Sequence, residues 1–233
     1  MGTNISGISS MATRQVLAEL CAAYARQSGD TVAAVVSFES VGGVDAARRV
    51  QAGEAFDVVV LASNAIDALI SAGHLDAASK VDLVHSGVAV AVRAGAPRPD
   101  IGSQDALRQA VLAARSLSVS TGPSGVQLAK LFERWGIAEQ IKDRLVQAPP
   151  GVPVGTLVAR GEVELGFQQL SELMHLEGIA VLGPLPLTIQ IRTTFSAGIG
   201  ARSAQGAAVR ALLSFLASPA ATAAKQRHGM DPA

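Results

Sequence analysis

Four short stretches of this 233-residue chain place small or hydroxyl residues immediately before an apolar helical pattern. They are Gly7-Ile8-Ser9-Ser10 before Met11-Ala12-Thr13, and Phe38-Glu39-Ser40-Val41-Gly42-Gly43 before Val44-Asp45-Ala46-Ala47. The other two are Ser120-Thr121-Gly122-Pro123-Ser124-Gly125 before Val126 to Trp135, and Pro149-Pro150-Gly151-Val152-Pro153-Val154-Gly155 before Thr156 to Arg160. Hydroxyls together with the unpaired N–H groups of a first helical turn hold an anion without a formal positive charge. One terminus contributes ~0.3–1 kcal/mol when exposed and up to ~2 kcal/mol when partly buried, so several must converge. Ser, Thr and Gly before a helix also read as ordinary N-caps, and any one stretch alone is read that way. Four at the carboxyl ends of strands, where open α/β sheets take their ligands, point to an anion.

Other chemistries are poorly supported. Gly-x-Gly-x-x-Gly and the P-loop pattern are absent. Gly122-Pro123-Ser124-Gly125 has its second glycine one position early for a nucleophile elbow. His74, His85, His175 and His228 lack metal-ligand spacing, and Cys21 stands alone in an apolar helical pattern, so neither a metal nor a cofactor is expected. Nineteen basic residues balance nineteen acidic ones, and aromatics make up 3% of the chain. Nucleic-acid partners are therefore not expected. No apolar run approaches the ~20 residues of a membrane-spanning helix, so membrane insertion is not expected either. The first residues show no secretion leader. A cytoplasmic location is expected if the chain is full length, and a periplasmic one if a leader has been removed.

Positioning these stretches requires strands alternating with helices, which predicts an α/β fold of mostly parallel sheets with helices on both faces. Strands are expected over Asn4–Ile8, Val32–Phe38, Asp57–Leu61, Val88–Arg93, Ser116–Ser120, Leu145–Gln147, Leu165–Gln168 and Ile179–Leu182. A helix is expected over Met11–Gln27, with Val16, Leu17, Leu20, Cys21 and Tyr24 as its apolar stripe and Gly29 as its stop. Val88–Ala94 and Thr188–Gly200 read as crossings between two lobes and imply a hinge. The expected division is residues 1–86 plus 194–233 for the first lobe and 87–193 for the second, with the ligand cleft between them.

The chain resembles the molybdate-binding periplasmic protein family, a type II solute-binding fold, over essentially its whole length. The resemblance is carried by Ser9-Ser10-Met11-Ala12, Ser37-Phe38-Glu39-Ser40, Val50-Gln51-Ala52-Gly53-Glu54-Ala55-Phe56-Asp57-Val58-Val59-Val60-Leu61-Ala62, Pro123-Ser124-Gly125 and Leu157-Val158-Ala159-Arg160-Gly161-Glu162. It implies that Ser10 and Ser40 donate hydroxyls to a small anion and that Ala62, Ser124 and Val152 sit at backbone contacts. Ser9, Gly42, Gly43, Ser63, Thr121, Gly125, Val154 and Gln168 complete the candidate set, with Gln169 where the family usually has a tyrosine. The implied role is that of a substrate-binding protein handing its ligand to an ABC permease. The same fold includes an aconitate isomerase-like branch, which needs no cofactor. That likeness implies a proton carrier, for which Glu39 is the only acidic residue within the four stretches, and carboxylate partners among Arg14, Lys130 and Arg192. Glu39 reads equally as a solvated loop carboxylate.

Overall fold

The computed structural model describes residues 4–27 and 35–233. In chain order they form β1 (Asn4–Ser10), α1 (Arg14–Gln27), β2 (Val35–Val41), α2 (Gly43–Gln51), β3 (Val58–Ala62), α3 (Ser63–Ser71) and the long β4 (Val81–Arg93). Next come α4 (Gln104–Ala113), β5 (Leu117–Val119), α5 (Pro123–Arg134), α6 (Ala138–Ile141), β6 (Leu145–Gln147), α7 (Val154–Arg160), β7 (Leu165–Gln169), α8 (Leu170–Leu173) and β8 (Ile179–Pro184). The chain closes with β9 (Arg192–Ile199), α9 (Gly206–Ala217), α10 (Thr222–Arg227) and β10 (Met230–Pro232). This is an α/β fold with two compact units, Met1–His85 with Thr194–Ala233, and Ser86–Thr193. The unit boundaries fall inside β4 and β9.

In the first unit β1 lies between β2 and β3, parallel to both, and β9 runs antiparallel to β3. The period of two in these strands splits the apolar residues between two faces. Ile5, Val58 and Val60 pack with Val16, Leu17 and Leu20 of α1 and with Leu212 and Leu216 of α9. Ile8, Val59 and Leu61 pack with Ala46 and Val50 of α2 and with Ile66 and Leu69 of α3. A strand covered on both faces has no polar side to keep, which is why Val58-Val59-Val60-Leu61-Ala62 reads as an unbroken apolar run.

The second unit repeats the plan. β5 lies between β6 and β7, parallel to both, and the later half of β4 runs antiparallel to β7 and β8. Val90, Leu117, Val119, Leu165 and Phe167 face Leu107, Leu128 and Phe132, with Phe132 edge-on to Phe167 at 5.9 Å between ring centres. On the other face Gly166 lets α7 lie against the sheet, since a Cβ there would stand 2.5 Å from a Val158 methyl.

Several expected boundaries move. Met11–Thr13 is a 3-10 turn and α1 begins at Arg14, because the Ser10 hydroxyl takes the Ala12 N–H. β2 runs on to Val41, pairing Ser40 with Ser9, while residues 32–34 and Gly29 lie outside the described residues. β4 begins at Val81, seven residues before the expected start, and Leu187–Ile189 forms a 3-10 turn instead of the beginning of β9.

Candidate functional site

In the first unit the parallel register of β1 and β2 sets Ser9 beside Ser40, and their hydroxyls are 2.8 Å apart. Ser9 is fully buried. Ser10 is directed differently: its hydroxyl accepts from Ala12 N at 3.4 Å, a long cap, and lies 3.6 Å from where a Cβ on Gly43 would be. Ser10 thus adjoins the beginning of α2, while Ser9 is the direct partner of Ser40. Gly42 and Ala62 are the N-caps of α2 and α3, and neither offers a side-chain acceptor to the first turn. By contrast α4, away from the candidate residues, is capped in the ordinary way by Ser103, whose hydroxyl accepts from Ala106 N at 3.1 Å. Uncapped starts leave N–H donors with no side chain to take them. Ser63 is the first residue of α3 and is partly exposed.

In the second unit α5 starts from Gly122, also without a side-chain cap, and Pro123 occupies its first turn. Buried Ser124 has its hydroxyl 3.2 Å from that of Ser120. Thr121 is partly exposed, and Gly125 is buried with no room for a side chain, a Cβ there falling 1.9 Å from the Ser120 carbonyl oxygen. Gln168 and Gln169 end β7 and point to opposite faces. Gln168 accepts from Gly155 N at 3.2 Å, next to Val154 and Val152. Gln169 donates to the Thr193 hydroxyl at 2.8 Å, and its carbonyl oxygen is buried without a partner among the described residues. An orphaned buried acceptor costs ~1–3 kcal/mol. Half a turn of the amide lets Thr193 donate to the oxygen and turns the amino group, with its two protons, to the orphaned side.

The charged candidates divide. Glu39, expected as proton carrier, is half exposed and held by Arg49 through two hydrogen bonds of 2.6 and 2.8 Å. The Arg49 guanidinium, which also pairs with Glu54, keeps the Glu39 carboxyl below the usual carboxylate range. The arrangement stabilises the ionised form rather than one that exchanges protons near neutrality. Arg14, Lys130 and Arg192 have exposed side chains.

One residue escaped sequence reasoning. Glu172, on α8, accepts a hydrogen bond from the Gln168 amide. Burial pushes its carboxyl up to about 7, against the lowering effect of Gln168. Among the described residues no ionised neighbour contributes to that shift. The available signal was the i, i+4 spacing from Gln168 to Glu172 across the junction of β7 and α8.

A family model described as bacterial extracellular solute-binding protein matches residues 5–231. An aconitate isomerase of Pseudomonas sp. is 37% identical over 235 residues, covering 99% of this chain and 88% of the relative. The periplasmic molybdate-binding protein of Azotobacter vinelandii superposes with a TM-score of 0.79 at 18% identity, over 97% of this chain and 98% of that one. The sulfate-binding protein of Mycobacterium tuberculosis gives 0.77 at 18% identity, over 99% and 87%.

Proposed function

The chain belongs to the bacterial extracellular solute-binding protein family, and we propose that it binds a small unsaturated tricarboxylate and moves its double bond by proton transfer. The observation that carries this reading is the 37% identity to an aconitate isomerase across 99% of the chain. The geometry is compatible with it. Each unit by itself offers neutral donors suited to a carboxylate in a protein with no net charge: Ser9, Ser10, Ser40 and the uncapped starts of α2 and α3 in the first, and Ser124, Gln169 and the uncapped start of α5 in the second. Donors of this kind suit the enolate-like charge that appears when a proton leaves the methylene carbon. Nothing in the reaction is oxidised or reduced, so it requires a proton carrier and no redox partner.

A second reading is favoured by the fold shared with the molybdate-binding protein. In it the chain captures an oxyanion or carboxylate and delivers it to an ABC permease, without chemistry. Thermal unfolding with molybdate, tungstate, sulfate, citrate, and cis- and trans-aconitate separates the two. A ligand at 100 times its dissociation constant adds about 2.7 kcal/mol to stability. Stabilisation by the aconitates, with interconversion followed by ultraviolet absorbance, is the expected result. Stabilisation by molybdate alone would retire the isomerase.

A further inference from the structure

We propose that Ser86 and Gln169, with Thr193 holding the glutamine in place, grip one carboxylate of the ligand; this rests on the reading above that the ligand is a small polycarboxylate. All three residues belong to the second unit. Val88 N–H donates to the Ile191 carbonyl at 3.1 Å, and the His85 ring meets the Thr194 hydroxyl at 2.9 Å, so β4 and the chain entering β9 run antiparallel with Ser86 opposite Thr193. On the other side of β4, Val88 is paired with Gln169. Residues two apart in a strand share a face, as do residues paired across a ladder, so Ser86, Val88, Gln169 and Thr193 lie on one face. The Gln169 side chain crosses β4 over that face and donates to the Thr193 hydroxyl at 2.8 Å.

Ser86 is 1% exposed, Gln169 4% and Thr193 8%. The Ser86 hydroxyl and the Gln169 carbonyl oxygen are both buried without a hydrogen-bond partner among the described residues, although they are near neighbours in register. Buried polar groups are paired as a rule, so two left open side by side are a cost that a guest removes. No charged side chain among the described residues bonds to any of the three. The Thr193 hydroxyl both accepts and donates, so its bond to Gln169 survives half a turn of the amide. After that turn the amide oxygen takes the Thr193 proton, and the amino group joins the Ser86 O–H on the unpartnered side. Two amide protons and one hydroxyl proton then face a ligand group whose oxygens only accept, which is the hydrogen-bonding complement of a carboxylate. Ser86 and Gln169 touch the ligand, and Thr193 is a positioning residue that acts through Gln169.

The test is isothermal titration calorimetry with citrate, trans-aconitate, molybdate and sulfate on the unchanged chain and on Ser86→Ala, Gln169→Met, Thr193→Val and Thr193→Ser. The unchanged chain should bind the tricarboxylates, and Ser86→Ala and Gln169→Met should each weaken them by about 10- to 100-fold, since a hydrogen bond to a charged group is lost. Thr193→Val should weaken them comparably, whereas Thr193→Ser, which keeps the hydroxyl, should stay within about threefold of the unchanged chain. Without ligand, Ser86→Ala should melt no lower than the unchanged chain, because it deletes a buried hydroxyl that has no partner. A serine that is merely structural would lower the melting temperature, and that result overturns the assignment. Undiminished affinity in Ser86→Ala and Gln169→Met would mean that an ordered water only meets the buried atoms, and overturns it as well. Binding of molybdate or sulfate without any tricarboxylate removes the polycarboxylate reading and this subsite together. Tricarboxylate binding that the variants lose, with no interconversion of cis- and trans-aconitate by the unchanged chain, retires the isomerase and leaves the subsite standing.

Discussion

Glu39 and Glu172 show how little a carboxylate's type says about its chemistry until its neighbours are known. Arg49 stabilises the anion of the first, and desolvation opposes the anion of the second. Folding stability must register the difference. Between about pH 4.5, where an unfolded glutamate loses its proton, and about 7, where folded Glu172 does, the native state binds the extra proton. Stability therefore falls as pH rises through that window and levels off above it. The full contribution is on the order of 3 kcal/mol, at about 1.4 kcal/mol per pH unit. Glu172→Gln should remove it, leaving a variant more stable than the unchanged chain at pH 8 and close to it at pH 4.5, as measured by urea unfolding at both. A variant less stable at pH 8 would mean that the carboxylate is not strained by its surroundings. A second residue-scale expectation concerns Cys21, whose thiol burial pushes up to about 12. Its reaction with iodoacetamide at pH 8 should be slow in the folded protein and rise steeply in urea, because the thiolate is the nucleophile.

At the scale of elements, the strand-to-helix junctions depend on close backbone approach. Gly125→Ala would place its Cβ 1.9 Å from the Ser120 carbonyl oxygen, a contact that no rotamer change relieves. The start of α5 must shift, at a cost of about 1–3 kcal/mol, and ligand-induced stabilisation should weaken with it. Gly206→Ala, at the open start of α9 with nothing within 4 Å, is expected to be stabilising by about 0.4–1 kcal/mol. Differential scanning calorimetry of the two variants checks both signs. The same scale explains what the chain's order of residues revealed. β3 was legible because Val58-Val59-Val60-Leu61 can only be a strand buried on both faces. The first half of β4 was not, since Asp82, His85 and Ser86 interrupt its apolar pattern and their partners, Ser196 and Thr194 for the first two, arrive from β9 far along the chain. Ser9, Ser40 and Ser124 were picked out by local pattern and Gln168 by the family resemblance, whereas the pairing of Ser9 with Ser40 is a matter of register between strands. Glu172 offered only its spacing from Gln168, for a related reason: its desolvation is created by tertiary packing, which spacing along the chain does not encode.

At the scale of the molecule, the first unit is assembled from two separated pieces of chain and the second from one continuous piece. The cut ends of the first unit meet: the His85 ring nitrogen lies 2.9 Å from the Thr194 hydroxyl. With its own two apolar layers on either side of β1 and β3, that unit has the makings of an independent folding domain. Joining residue 85 to residue 194 through a short glycine-serine link should give a protein that melts cooperatively, with near-native circular dichroism for its helices and strands. A non-cooperative melt would show that the unit needs residues 86–193 to fold. The meeting of His85 and Thr194 also makes the chain modular in the genetic sense. A single cassette, residues 86–193, could be exchanged with that of a relative through two seams lying side by side, so recombination could replace the second unit while leaving the first undisturbed.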